Sequence, residues 1–189
     1  SACDCFTRYV FRMDGRGSMT DKAALSILED REGHLWVGTF VGLNLLDRES
    51  GTFAHFNEKD GLPNDVIYGI LEDEGGGLWL STNKGLSHFD PKNKTFRNFD
   101  VKDGLQDNEF LFGSSYRNAG GEMFFGGKHG FNAFFPNQVA PNPHVPELVI
   151  TDFRVIGASG SLESRRYPRE LPEDAGPFRL SHRDRVVSF

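Results

Sequence analysis

The amino-acid sequence predicts an all-β chain: part of a β-propeller, about three to four four-stranded blades, followed by the first strands of a β-sandwich. Three observations carry this. Phe occurs 18 times and Gly 22 times in 189 residues; aromatics suit a pleated, half-buried surface, and glycine supplies the positive φ of tight hairpins. No long stretch shows helical periodicity. A sequence pattern also returns after roughly 43 residues, the length of one four-stranded propeller blade.

The repeat is explicit. Ile27-Leu28-Glu29-Asp30, Gly33, Leu35-Trp36-Val37-Gly38-Thr39 and Gly42-Leu43 return as Ile70-Leu71-Glu72-Asp73, Gly76, Leu78-Trp79-Leu80-Ser81-Thr82 and Gly85-Leu86. Phe53 and Phe56 return as Phe96 and Phe99, and Asp60-Gly61-Leu62 as Asp103-Gly104-Leu105. A weaker third copy runs from Gly121 to Phe131, with Phe124 in the place of Trp and without the Asp. Phe6-Thr7-Arg8-Tyr9 reads as the tail of a preceding copy. A sandwich would place turns at similar spacing but would not impose a fixed repeat.

Turn residues divide the second copy into strands at Val66 to Glu72, Leu78 to Thr82, Leu86 to Asp90 and Thr95 to Phe99. One such sheet cannot bury both faces alone, so it must stack on neighbours, with Trp36, Trp79 and Phe124 as wedges between blades. The expected organisation is 1–26, a preceding tail and connection; 27–140, blades with repeats near 27–63, 70–106 and 113–135; and 141–189, a proline-rich connector and the start of a sandwich.

Composition narrows the function. A formal net charge of −6 disfavours nucleic acid, whose phosphates select basic patches. Cys3 and Cys5 are the only cysteines; two residues apart, they would form a strained disulfide, and no further ligands follow at metal spacing. The six histidines are scattered, and neither a Gly-x-Ser-x-Gly elbow nor a phosphate-binding loop occurs. The paired acids Glu29-Asp30 and Glu72-Asp73 precede glycine turns in both copies, where Asp caps backbone amides. No catalytic residue, cofactor or metal is therefore expected. The segment opens without a signal peptide and reads as a piece of a longer chain.

The motif Ile-Leu-Glu-Asp-x-x-Gly-x-Leu-Trp-x-x-Thr-x-x-Gly-Leu, ending in Asp-Gly-Leu, resembles the two-component regulator propeller repeat. Its framework positions are Asp30, Gly33, Trp36, Thr39 and Gly42, then Asp73, Trp79, Thr82 and Gly85, then Phe124. Pro146 to Val155 and Leu180 to Phe189 resemble early strands of the Y_Y_Y β-sandwich that follows such propellers. The resemblance implies an extracytoplasmic, periplasmic sensor segment of an inner-membrane hybrid histidine kinase. It implies partnership with the remaining blades and sandwich of the same chain, and homodimerisation through the parent protein. Polysaccharide utilisation by many relatives points to an oligosaccharide or another small polar ligand. Output through a diguanylate cyclase or transcriptional regulator, a structural or dimerisation spacer, and a propeller lyase or hydrolase are the alternatives.

Binding residues are expected where the loop between second and third strands meets the loop between blades, because both vary while the framework stays fixed. The candidates are Phe40, Asn83, Lys84, Lys128 and His129 in the first set, and Asn64, Asp65, Asn108 and Glu109 in the second.

Overall fold

The computed structural model describes residues 7–12 and 17–139, together with three short strands between 153 and 188. The chain divides into two compact units, Ser1–Ala140 and Pro141–Phe189. In the first, β1 (Ala24–Glu29), β2 (Leu35–Thr39), β3 (Gly42–Asp47) and β4 (Thr52–Phe56) form an antiparallel meander, blade 1. Blade 2 repeats it with β5 (Gly69–Glu72), β6 (Leu78–Thr82), β7 (Gly85–Asp90) and β8 (Thr95–Phe99). Blade 3 has β9 (Phe110–Arg117), β10 (Met123–Gly127) and β11 (Gly130–Phe134). The first strands β1, β5 and β9 lie beside one another from blade to blade, the arrangement of a propeller segment.

In the second unit β12 (Phe153–Ile156) pairs antiparallel with both β13 (Leu162–Arg165) and β14 (Val186–Ser188). Cys3, Cys5, Phe6, His144, His182 and the rest of the proline-rich connector beyond Val139 lie outside the described residues.

The blades stack through one recurring interface. Trp36 and Leu43 of blade 1 are buried against Ile70, Leu78, Leu80 and Phe89 of blade 2. Trp79, Leu86 and Phe99 of blade 2 are buried against Phe110, Met123 and Phe125 of blade 3. Trp79 stacks on Phe99 with ring centroids 5.3 Å apart and tilts against Phe134 at 4.6 Å. Phe124 lies on the rear face of blade 3, and among the described residues of the first unit its ring meets Tyr116 and Phe131, with no further blade behind it.

The Asp of the repeat holds the turn and the tryptophan together. Asp73 accepts from the Gly75 and Gly77 amides at 2.8 and 2.9 Å, from the Trp79 indole at 3.3 Å, and pairs with His88 Nε2 at 2.8 Å. Asp30 does the same with the Glu32 and His34 amides, the Trp36 indole at 2.8 Å and the His34 ring. In blade 3 Asn118 takes that place and accepts from the Glu122 amide at 3.0 Å. The Phe124 ring has no N–H to offer, so the carboxylate and the indole disappear together.

Burial pushes the Asp73 carboxyl up, but the His88 and backbone hydrogen bonds outweigh it and leave the pKa below its ordinary value of 3.8. A depressed folded pKa contributes stability that is present above the unfolded pKa and lost as pH falls through the folded one. The urea midpoint is therefore expected to drop as pH goes from about 5 to below the ordinary carboxylate range. Asp73→Asn should lower the midpoint at pH 7 and flatten this dependence. An unchanged slope in the variant would show that other carboxylates set it.

Each Asp-Gly-Leu is a plug between blades. The Asn57 side chain accepts from the Lys59 amide while Asp60 accepts from the Asn57 amide, a reciprocal cap on the short 3-10 turn Glu58–Asp60. Gly61 leaves the turn at φ 119°, and Leu62 drops into the core between blades 1 and 2. Asp100, Asp103, Gly104 and Leu105 repeat this one blade on. Counting back 43 residues, Ser18 and Met19 stand where Gly61 and Leu62 do, and Met19 packs on Val37, Leu46 and Phe53. The repeat thus begins before residue 27. Thr7 to Tyr9 pairs with no strand among the described residues; Tyr9 sits edge-on to Phe53 at 6.0 Å.

Two strand boundaries differ from expectation. The first strand of blade 2 starts at Gly69 rather than Val66, because Ile67 turns toward blade 1 and its amide donates to the Thr39 carbonyl at 2.9 Å. Blade 3 begins at Phe110 and shows three strands among the described residues, where four were expected.

Candidate functional site

The hairpin turns between second and third strands are built by the Thr and Gly of the repeat. Thr39 Oγ1 donates to the Gly42 carbonyl at 3.0 Å and accepts from the Val41 amide; Thr82 does the same with Gly85 and Lys84. The residues between are thereby held out from the sheet. Phe40 and Val41 are 48% and 46% exposed, and Asn83 and Lys84 are exposed at the next tip.

The loops between blades come to the same end of the sheets. The Gly85 amide donates to the Asn108 carbonyl at 2.7 Å, and the Lys128 amide to the Glu109 carbonyl at 3.3 Å. The Asn108-Glu109 loop is therefore brought against the turns of both blades that it joins, blade 2 at Gly85 and blade 3 at Lys128.

Several candidates, however, are engaged in holding that loop. Asp65 accepts from the Glu58 amide at 2.8 Å, and Asn108 accepts from the Val101 amide at 3.1 Å. Asn64 accepts from the Val66 amide, and Asp107, its counterpart 43 residues on, accepts from the Glu109 amide at 3.2 Å. The apparent variation between Asn64-Asp65 and Asp107-Asn108 is an exchange of two side chains with equivalent acceptor oxygens. It preserves the loop, correcting the reading of these positions as variable recognition residues.

In blade 3 the two sets neutralise each other. Lys128 pairs with Glu109, which holds the ammonium pKa above its ordinary value. His129 pairs with Asp107, and its amide donates to Gln106 Oε1 at 2.8 Å. The Glu109 amide first, and then the His129 ring, hold the Asp107 carboxyl below its ordinary value. Gln106 and Asp107 were missed as individual candidates, although the 43-residue shift aligns Asp107 with Asn64.

What remains open is Phe40, Asn83 and Lys84. Among the described residues the Asn83 and Lys84 side chains make no hydrogen bond, so an aromatic face, an amide and an ammonium are available to a ligand. A depression of about 260 Å³ lined by Asp73, Glu74, Gly121 and Phe135 lies at the opposite end of the sheets. It is smaller than the roughly 300–1,000 Å³ of ordinary ligand pockets, and its Asp73 is fully engaged. Among the described residues no three His, Cys, Asp or Glu side chains converge as metal ligands would.

The fold and this loop end define a segment of a β-propeller. Residues 18–40 and 61–84 match the two-component regulator propeller family. Among solved structures, the chain is similar to the extracellular domain of a protein described as the hybrid two-component system BT3049 of B. thetaiotaomicron. Identity is 29%, the TM-score is 0.64, and the match covers 84% of this chain and 21% of that one. It is also similar in fold to the extracellular domain of BT4673 of B. thetaiotaomicron, at 16% identity and a TM-score of 0.52, covering 76% of this chain and 22% of that one. PorZ, a surface component of the type-IX secretion system of Porphyromonas gingivalis, shares the fold at 18% identity and a TM-score of 0.51 over 84% of this chain and 26% of its own. The chain thus spans about a fifth to a quarter of these structures. No curated protein matches it significantly. Among the described residues no helix is long and apolar enough to cross a membrane.

Proposed function

We propose that this chain is a ligand-sensing piece of the extracytoplasmic region of a membrane-bound hybrid two-component histidine kinase, and that its ligand is a carbohydrate. The observation that carries the sensor reading is the pair of matched repeats within a chain 29% identical, over 84% of its length, to the extracellular domain described as part of a hybrid two-component system. The segment itself is read as non-catalytic, because its recurring acids cap turns and hold tryptophans. The carbohydrate reading rests on the open tips. An exposed aromatic such as Phe40 suits the C–H face of a sugar ring, and Asn83 and Lys84 suit its hydroxyls.

Two measurements test this. The reading frame beyond residue 189 is expected to encode a membrane-spanning helix and a kinase; a frame closing without them overturns the sensor-kinase reading. Calorimetric titration of the complete ectodomain with an oligosaccharide panel is expected to show heat for at least one sugar. Asn83→Ala combined with Lys84→Ala should weaken that binding about tenfold or more, as loss of central polar contacts does. Absence of heat across the panel overturns the carbohydrate reading while leaving the sensor reading standing.

A further inference from the structure

We propose that Leu111-Phe112, a two-residue insertion in the first strand of blade 3, is a binding platform on which the C–H face of a sugar ring stacks. This rests on the carbohydrate reading above and names a further side chain, Phe112, that carries the ligand.

The insertion can be placed to within a few residues. Asp65 and Asn108 stand 43 residues apart and hold the same loop, whereas Trp79 and its counterpart Phe124 stand 45 apart. Two residues have been added between Asn108 and Phe124. Ile67 and Phe110, again 43 apart, are 0% and 2% exposed and fill the seams ahead of blades 2 and 3. Beyond Phe110 the register breaks. Phe110 lies opposite Gly127 and Ser115 opposite Phe125, so Leu111 to Ser114 face Gly126 alone. Blade 1 has a smaller irregularity here, where Leu25 is extra between the pairs Ala24–Thr39 and Ser26–Gly38. Ser114 lies against Gly126, as Ser26 pairs with Gly38 and Gly69 with Ser81, so the series resumes there. Leu111 and Phe112 fall outside it and are 46% and 62% exposed. Gly113 follows at φ 70°, a left-handed turn that lets the strand loop out and return. Bulges of this kind re-aim side chains and are over-represented beside functional sites.

The bulge opens at the loop end of the sheets. Phe110 faces Gly127, the last residue before the Lys128-His129 turn, and the loop just ahead of it binds Gly85 through the Asn108 carbonyl. β9 is also the strand of blade 3 that lies beside β5 of blade 2. Leu111 and Phe112 therefore stand at the same end as Asn83 and Lys84, on the side of blade 3 nearest to them. The occupant follows from the local chemistry. Lys128 is paired with Glu109 and His129 with Asp107, so the charges of blade 3 are spent on each other. What this blade adds to the site is an apolar surface. Two side chains fall short of the roughly 300–600 Å² of apolar patch found on protein surfaces that bind partners, which favours a small molecule. A sugar ring fits both halves of the site, with C–H groups on its face for Phe112 and hydroxyls at its rim for Asn83 and Lys84.

The test uses the complete ectodomain and the same oligosaccharide panel, with the unaltered protein identifying the sugar that binds. Phe112→Ala changes an exposed side chain and should leave the urea midpoint nearly unmoved. It is expected to weaken binding of that sugar about tenfold or more, as loss of an aromatic anchor does. Phe112→Trp keeps a ring in place and should retain the affinity. It also reports on the site directly, because saturating sugar should shift the emission of the new indole to the blue, a change absent from the unaltered protein. Affinity unchanged in Phe112→Ala, or emission unmoved in Phe112→Trp, overturns the proposal while the heat seen with the unaltered protein leaves the carbohydrate reading standing. Absence of heat from the unaltered protein across the panel overturns both.

Discussion

Replacing Trp79 with alanine is expected to destabilise the fold by about 3–5 kcal/mol, the range for removing a buried aromatic from a core. The indole is 4% exposed and fills the seam between blades 2 and 3, in ring contact with Phe99, Phe134 and His88. Its loss opens a cavity in the seam and takes one donor from the buried Asp73 carboxylate. Trp79→Phe is milder, about 1–2 kcal/mol, since an aromatic remains and the main loss is the indole hydrogen bond. Blade 3 carries the remedy in its own sequence. It pairs Phe124 with Asn118, so Trp79→Phe with Asp73→Asn should cost less than the sum of the two single changes. Urea denaturation of the three variants measures this. A cost below about 1 kcal/mol for Trp79→Ala would mean that the interface between blades does not carry the stability assigned to it.

That pairing shows why so much of the fold is legible in the sequence. Trp, its Asp, the turn Thr and the turn Gly are tied to one another within a single blade, so they recur at a fixed spacing and announce the sheet that contains them. Contacts between blades leave a fainter trace. Ile67 ends its strand early because its amide reaches Thr39 of the previous blade, and nothing in residues 66–72 alone signals this. Met19 was unreadable for a similar reason. It does the work of Leu62 without the Gly before it, so the Asp-Gly-Leu signature that marks the plug elsewhere is absent.

The candidate site was legible in place but not in detail. Strand order dictates that the turns and the interblade loops meet, and they do. Sequence variation, however, does not separate a side chain that faces a ligand from one that swaps roles with its neighbour. Asn64 and Asp65 against Asp107 and Asn108 look variable, yet both pairs offer an oxygen to the same two amides. Lys128 and His129 look free as a sequence; folding sets acids beside both.

Gly85→Ala is expected to cost about 3 kcal/mol, combining left-handed backbone strain of 1–3 kcal/mol with a backbone collision. Gly85 has φ 96°, and a Cβ there would stand 2.0 Å from the Phe99 carbonyl oxygen, which is main chain and has no rotamer to yield. Gly130 opens β11 at the corresponding turn of blade 3 with φ 117°, yet a Cβ there meets nothing within 4 Å. Gly130→Ala isolates the strain alone and should cost about 1–2 kcal/mol. The difference between the two variants, read from urea midpoints, is the contribution of the close approach between turn and strand. Gly85 also donates its amide to Asn108 at 2.7 Å, fixing the turn that presents Asn83 and Lys84 against the incoming loop. Gly85→Ala should therefore weaken sugar binding by the ectodomain even where the protein remains folded, while Gly130→Ala leaves that binding unchanged. Equal binding by the two variants would remove the Asn83 and Lys84 turn from the site.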